Sequence, residues 1–292
     1  MKCSQKRSAA IIFLINSLLV SLNLVAQTPD SLDLAIRSIM DESPGTRRIY
    51  KTISSDTLEI NSLLAEAGRY QGINSDSALV YNQNALSLSL ESGSLRHMSL
   101  SLESMGVYYL SLEMYREAMS FFLKSLAIEE KRGDTGRMAD IYDELGSVYY
   151  YMEVFDKSLD YHQKALDIYR RYNDTTGIAA VLCHLGSLHS SREFCEKRTR
   201  EEKLIDFQTA IDYYNQSNKY CALADDQDGI AKNNQNIAAV YNKLEKPELA
   251  LGYVLKALEH CRKVNDPEGV LSTLFTLGKT YYRLGDYGKS VE

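Results

Sequence analysis

The chain has 292 residues, of which 45% are hydrophobic and 25% charged, and its formal net charge is −6. This composition is typical of a globular protein and excludes disordered and collagen-like chains. The excess of acidic residues argues against nucleic-acid binding, which needs clustered Lys and Arg. Because the chain has four Pro and no Trp, it favours helices over a loop-rich β protein.

The N-terminal segment predicts export. Basic residues precede an apolar run from Ala9 to Ala26, an order typical of secretory signal peptides. The run is also about long enough to span a bilayer, so an uncleaved anchor is the competing interpretation. Since Asn16 and Ser21 interrupt the run, cleavage is favoured. We predict a cleaved signal peptide at 1–26 and a protein of the periplasm or cell envelope.

The cysteines do not form a recognisable metal or redox motif. Removal of the signal leaves Cys183, Cys195, Cys221 and Cys261, and four cysteines in an exported chain allow three complete pairings. Their spacing is irregular and no CxxC occurs. The favoured interpretation is therefore small residues buried inside helices, with the disulfide state left open.

The chain repeats itself about every 40 residues. A small residue, Gly or Ala, recurs in an apolar stripe, and the steps are 40 residues except for one of 52. These residues are Gly106, Gly146, Gly186, Ala238 and Gly278. A second marker, Ala or Ser, recurs at Ala78, Ala118, Ser158, Ala210, Ala250 and Ser290. It follows the first marker by twelve residues, except that Ala210 follows Gly186 by 24. Both markers share the long step, which predicts an insertion of 12 residues around Ser190 to Lys203.

Each period contains two helical stripes. Residues at i, i+3, i+4 and i+7 share one face of a helix. The first complete period shows this spacing at Leu102, Met105, Gly106 and Tyr109, and again at Ala118, Phe122, Ser125 and Leu126. The small residues are expected to let two helix axes approach closely, with a gain that offsets the cost of Gly inside a helix, about 1 kcal/mol.

The loops between periods predict helix caps. In three loops a Gly or Asn precedes an Asp, and Gly or Asn can take the left-handed conformation that ends a helix. The next Asp can then accept the free N–H groups of the following helix. These aspartates are Asp134, Asp174, Asp226 and Asp266. Because the spacing of an EF-hand is missing, capping is favoured over calcium binding.

The repeat unit resembles the tetratricopeptide repeat. It carries Leu-Gly-x-x-Tyr with Ala or Ser twelve and nineteen residues after the Gly, most clearly in residues 277–287. HEAT, armadillo and WD40 arrays share a similar period, but the lack of Trp argues against WD40 and the small residues favour the tetratricopeptide repeat. The six residues beyond the usual 34 are similar to the long repeats of kinesin light chains. Departures are Asn82 and His162 at the usual aromatic position.

The resemblance implies an all-α fold, a right-handed solenoid of stacked antiparallel helix pairs. We predict a signal peptide at 1–26, a helical lead-in at 27–56 and an array at 57–292. The predicted units are 57–97, 98–138, 139–178, 179–230 with an insertion near 190–203, 231–270, and an incomplete 271–292.

The resemblance also implies that the first helices line a concave surface that binds a peptide or protein segment. The candidates at the matching positions are Glu103, Asp140, Asp143, Glu144, Tyr150, Lys232, Asn236, Asn242, Lys243, Lys279, Tyr282 and Arg283. They are acidic toward the N-terminus and basic toward the C-terminus, a gradient that could orient a partner. In the long-repeat family an asparagine before the Leu-Gly pair often bonds a peptide backbone, which makes Asn236 the first candidate. A solvated helix face is the competing interpretation.

The sequence predicts no enzyme activity, no cofactor and no metal. It lacks the phosphate-loop, dinucleotide, HExxH and GxSxG motifs. His184 and His189 lie five apart beside Cys183, whereas two ligands on one helix face need i,i+4 spacing. The other histidines are expected at helix ends or faces without a special role: His97, His162 and His260.

Two functional hypotheses follow. The first is a non-catalytic interaction scaffold for a protein or peptide partner. The second rests on the end of the sequence, which stops at Glu292, two residues into the stripe of a second helix, whereas solenoids carry capping elements. We therefore expect a truncated periplasmic sensor portion of a signalling protein whose histidine kinase or helix-turn-helix output is missing. Membrane contact is expected only through the signal peptide or a missing C-terminal span.

Overall fold

A computed structural model of the protein describes residues 29–41, 54–191 and 198–291, and the regular elements in these ranges are all α-helices. The chain divides into two compact units, Met1–Asp134 and Thr135–Glu292. The predicted signal peptide, Cys195 and Glu292 lie outside the described residues. So do residues 42–53 of the predicted lead-in and residues 192–197 of the predicted insertion.

The described residues of the first unit form two antiparallel helix pairs preceded by a further helix. Its helices are α1 (Pro29–Asp41), α2 (Ser54–Tyr70), α3 (Ser75–Glu91), α4 (Leu95–Ser111) and α5 (Tyr115–Arg132). α2 packs on α3, and α4 packs on α5. Met98, Leu102 and Ile128 are fully buried in the core of this unit, where Leu102 is one of the residues of the predicted apolar stripe.

The second unit contains four helix pairs. Its helices are α6 (Thr135–Tyr151), α7 (Phe155–Tyr172), α8 (Thr175–Ser191), α9 (Arg200–Leu223), α10 (Gln227–Lys243), α11 (Pro247–Lys263), α12 (Pro267–Leu284) and α13 (Tyr287–Val291). Each helix packs on the next along the chain, and the first helices of successive pairs also touch: α6 with α8, α8 with α10, and α10 with α12. The all-α class and the stacking of antiparallel helix pairs are thus confirmed.

Three of the small-residue markers, Gly106, Gly146 and Gly186, lie where a large ring covers the first helix of a pair. A Cβ atom on Gly106 would lie 2.7 Å from the ring of Phe122 in the following helix. Where Val254 replaces the ring, the marker is Ala238, and both pack in one cluster. The size of the marker therefore matches the size of the side chain packed against it, as close-packed interiors require.

Three of the four predicted aspartate caps are confirmed in the loops, and the cap at Asp134 stays a prediction. Gly133 ends α5 in the left-handed conformation at φ 68°. Asp174, Asp226 and Asp266 each accept a hydrogen bond from the backbone N–H three residues later, at 2.9, 2.8 and 3.0 Å. These bonds satisfy N–H groups that have no partner in the first turn of a helix.

Part of the predicted insertion lengthens a helix. α9 has 24 residues, whereas the other complete helices of the second unit have 17 or 18. It begins inside the predicted insertion, at a capping box in which Thr199 and Glu202 bond each other's backbone N–H groups. The added residues therefore extend the second helix of that pair at its N-terminal end.

The cysteines of the described residues are reduced and internal. Cys183, Cys221 and Cys261 are buried and free, which confirms that they act as small buried side chains. No helix in the described part of the chain is long and apolar enough to cross a membrane.

Candidate functional site

The first helices of the second unit form a continuous layer, which we call the inner face (α6, α8, α10 and α12). Side chains join successive helices of this layer at equivalent positions. Tyr150 and Ser191 share a hydrogen bond of 2.8 Å between their hydroxyl groups. The Lys243 Nζ donates to the backbone oxygen of Ser190 at 2.9 Å. Two of the predicted binding residues, Tyr150 and Lys243, therefore also hold neighbouring pairs together.

The acidic end of the inner face is partly neutralised by its own surroundings. The Asp140 carboxylate accepts hydrogen bonds from the Tyr169 hydroxyl at 2.7 Å and from Arg137 at 2.6 Å. Burial and the neighbouring Asp140 raise the pKa of Tyr169, so that the phenol remains a donor. Asp140 thus serves first to join α6 to α7.

Asp143 is the centre of a group that spans three helices. Its Oδ1 atom lies 2.7 Å from Nδ1 of His162 on α7 and 2.9 Å from Nδ1 of His184 on α8. The side chain of His162 is 1% exposed, that of Asp143 15%, and that of His184 36%. We call these three residues the Asp143 cluster. It opens to solvent on the His184 side.

The charges within the Asp143 cluster differ between the two histidines. Burial lowers the pKa of His162 and outweighs its hydrogen bond to Asp143. Burial also opposes the charge on His184, but Asp143 more than compensates and raises the pKa of that ring. Burial alone would raise the pKa of Asp143, but His184 and His162 hold it well below its usual range. The favoured state is an Asp143–His184 ion pair with a neutral His162.

Asn236 lies at the middle of the inner face. Its Nδ2 atom is 4.0 Å from Sγ of Cys183 on α8, and the side chain is partly exposed. Burial raises the pKa of the Cys183 thiol to about 11, so Asn236 lies beside a neutral thiol. Lys232, one turn earlier on α10, is exposed. The two residues therefore offer a donor amide and a cation to solvent.

The C-terminal helix of the inner face carries exposed basic and aromatic groups. Lys279, Tyr282 and Arg283 on α12 are exposed. The Lys279 Nζ lies 4.3 Å from the centre of the Phe275 ring, within the range of a cation–π contact. The Tyr282 ring is 5.5 Å from the Tyr287 ring in an edge-to-face arrangement.

Two other predicted candidates are placed differently. Asn242 is buried and donates to the Thr280 hydroxyl at 2.8 Å, so it holds α10 against α12 and does not line a surface. Glu103 is half-buried on α4, in the first unit, and thus belongs to a different compact unit from the other candidates.

His162 and His184 were not predicted from the sequence as partners of Asp143. Several contacts between α6 and α8 and between α8 and α10 fall one residue beyond the repeat step: Asp143 meets His184 after 41 residues, and Cys183 meets Asn236 after 53. Aligning the repeats with this offset pairs Asp143 with His184. The spacing of ligands along one helix does not reveal the group, because its three residues come from three helices.

The sequence of the second unit also matches a known family. The tetratricopeptide repeat family model matches residues 137–196 and 229–292, on both sides of the segment that contains α9. These two segments of the second unit consist of tetratricopeptide repeats. The unmatched stretch between the two segments contains α9, which is longer than the other helices of the unit.

Solved structures share the fold of this chain. NprR in complex with its cognate peptide NprX has a TM-score of 0.59 at 13% identity, over 90% of this chain and 75% of that chain. A Rap protein complexed with competence and sporulation factor has a TM-score of 0.58 at 16% identity, over 80% and 73%. TPR-like repeats of a kinesin light chain candidate from Podosopora anserina have a TM-score of 0.53 at 13% identity, over 70% and 96%. No curated protein is similar to the chain in sequence.

Proposed function

We propose that this protein is a non-catalytic scaffold whose inner face binds a peptide or an extended segment of a protein. The proposal rests on a set of polar side chains on α10 and α12 that remain exposed to solvent in the folded unit. Lys232, Lys279, Tyr282 and Arg283 are exposed, and Asn236 lies partly exposed beside them. Repeat arrays use such extended surfaces for binding. The peptide seen with NprR adds support.

The charges of the inner face favour an acidic partner segment. Asp140 and Asp143 are occupied by Tyr169, Arg137 and two histidines, whereas the basic residues of α10 and α12 are exposed. The net attraction at that end is therefore for carboxylates. Exposed charges at a binding surface act mainly on specificity and encounter rate and are screened by salt, so binding should weaken as ionic strength rises.

The first experiment selects a ligand from a displayed library of random linear peptides and measures its affinity by fluorescence anisotropy. We expect enrichment of acidic sequences. The triple variant Lys232→Ala, Asn236→Ala and Arg283→Ala should bind the selected peptide at least about tenfold more weakly, since rim charges and hydrogen bonds each contribute modestly. The helical content of the variant, measured by circular dichroism, should be unchanged because these side chains lie at the surface.

A matched control removes lysines from the second helices. Lys219 on α9 and Lys256 and Lys263 on α11 are exposed, and changing all three to Ala alters the net charge by one unit more than the inner-face variant does. The proposal predicts little loss of affinity in this control. Equal affinity of the inner-face variant and the unmodified chain would remove the proposal.

A second candidate is the sensory part of an exported signalling protein, in which capture at the inner face is the input. The N-terminal order of basic residues and an apolar run favours it, since that order is typical of export signals. The test is expression in a Gram-negative host with mass measurement of the periplasmic product. Loss of residues 1–26 would support export, and an intact chain retained in the cytoplasm would contradict it.

A further inference from the structure

We propose that the Asp143 cluster is a binding site for a transition-metal ion, with Zn²⁺ as the best fit. Asp143, His162 and His184 each offer one ligand atom, and the three atoms lie within 4.8 Å of one another. Imidazole nitrogen and carboxylate oxygen are the ligands that Zn²⁺ takes in proteins, at about 2.0–2.2 Å. The inference does not depend on peptide binding at the inner face.

Two of the three distances between ligand atoms are close to those of a zinc site. Ligand atoms at the corners of a zinc tetrahedron lie about 3.3 Å apart, whereas Oδ1 of Asp143 is 2.7 and 2.9 Å from the two Nδ1 atoms. The carboxylate would move about half an ångström away from each nitrogen to admit an ion. The ion would take the place of the ring protons that now lie between the nitrogens and the carboxylate, and each neutral imidazole would then carry its proton on Nε2.

The position of His162 supports a ligand role. The equivalent position holds Phe122, Tyr214 or Val254 in three other pairs and the buried Asn82 in the first. His162 fills the same space and is 1% exposed, and it turns a ring nitrogen toward Asp143. Burying an ionised carboxylate and an imidazole is costly unless each is paired. A metal ion would pair with both groups.

The site is open to solvent on one side. His184 is 36% exposed, so water or another ligand could reach a bound ion from that side. Because Asp143 and His162 belong to one helix pair and His184 to the next, a bound ion would fasten the two repeats together.

The test measures Zn²⁺ binding to the tag-free full chain after treatment with a chelator. Isothermal titration should show one tight equivalent, Zn²⁺ should raise the melting temperature by binding the folded state, and Co²⁺ should give the absorption of a tetrahedral site. His184→Gln and Asp143→Asn should each weaken binding at least about tenfold. These positions are preferred over His162, because its buried ring packs against Gly146 and its replacement is expected to destabilise the fold.

The control is His260→Gln. His260 also pairs with one carboxylate, since its Nε2 lies 2.6 Å from Asp228 Oδ1, but no second histidine completes that pair in the described part of the chain. This variant should bind Zn²⁺ like the unmodified chain. Absence of a stoichiometric site, or a site that His184→Gln and Asp143→Asn leave intact, would overturn the proposal and leave the cluster as a hydrogen-bonded tie.

Discussion

A Cβ atom placed on Gly146 would lie 2.6 Å from the ring of His162. The second helix of the pair thus lays its ring directly on the backbone of the first. Three residues before this glycine, Asp143 meets the same ring through its carboxylate. The close approach that the repeat motif provides therefore also assembles the Asp143 cluster, so that packing and a possible ligand set share one side chain.

The equivalent contact in the next helix pair predicts the effect of adding a methyl group to Gly186. A Cβ atom on Gly186 would lie 2.7 Å from the Tyr214 ring, and Tyr214 is 2% exposed, so the ring cannot move aside freely. We expect Gly186→Ala to lower the free energy of unfolding by about 1–3 kcal/mol, the usual cost of overpacking. Urea denaturation followed by circular dichroism measures the change.

Gly252 provides the matched control for this prediction. It lies inside α11, where a Cβ atom would meet nothing within 4 Å, so Gly252→Ala should raise the free energy of unfolding by up to about 1 kcal/mol. The double variant Gly186→Ala with Tyr214→Val imitates Ala238 with Val254 and should cost less than the two changes separately. A gain from Gly186→Ala equal to that of Gly252→Ala would refute the packing argument.

If the loop aspartates cap helices, the stability of the chain should depend on the side-chain oxygen that accepts the hydrogen bond and not on calcium. Asp266 Oδ1 accepts from the backbone N–H of Gly269 at 3.0 Å, at the start of α12. Asp266→Ala should destabilise the chain by about 0.5–2 kcal/mol, whereas Asp266→Asn keeps an acceptor and should cost only a few tenths. Thermal unfolding with and without added Ca²⁺ checks both. Stabilisation by Ca²⁺ that both variants abolish would indicate an ion site instead.

We expect the protonation of His97 to make the folded chain less stable in mild acid. Burial lowers its pKa from the ordinary value of 6.5, and Arg96 and Arg132 lower it further. As the pH is lowered below 6.5, His97 takes up a proton in the unfolded chain before it does so in the folded chain. The free energy of unfolding therefore decreases as the pH is lowered, until the pH passes below the lowered pKa of the folded state.

The measurement compares thermal unfolding of the unmodified chain and of His97→Gln across this pH range. The variant loses the contact of the ring with Ser94, which shifts its curve by a constant amount. The stability of the unmodified chain relative to the variant should decrease as the pH falls below 6.5. A relative stability that increases in acid would contradict the assignment.

We expect the Cys183 thiol to react slowly with labelling reagents in the folded chain. Its thiol is buried, and burial raises its pKa to about 11, whereas the thiolate is the reactive form. Labelling with a maleimide near neutral pH, followed by peptide mapping, should modify Cys183 much more slowly in buffer than in urea. Equal rates in the two conditions would show that the helix layer opens readily at this position.

Much of the architecture could be predicted from local sequence. The two apolar stripes per period, the small residues at Gly106 and Ala238, and the capping residues Gly133 and Asp226 depend on spacings within one or two turns. The binding residues were harder to predict. Asn242 occupies a lining position of the motif, but its buried bond to Thr280 depends on how α10 and α12 meet.

The helical class, the capping residues and the repeat motif could be predicted without coordinates, because each depends on residue types at short, regular spacings. The convergence of Asp143, His162 and His184 required the arrangement of the packed helices. The two end residues are 41 positions apart, and their meeting is set by the offset between stacked helices. The stacking geometry also decided that Lys243 is tied to Ser190 while Lys232 and Arg283 stay exposed, because it fixes which side chains reach a neighbour.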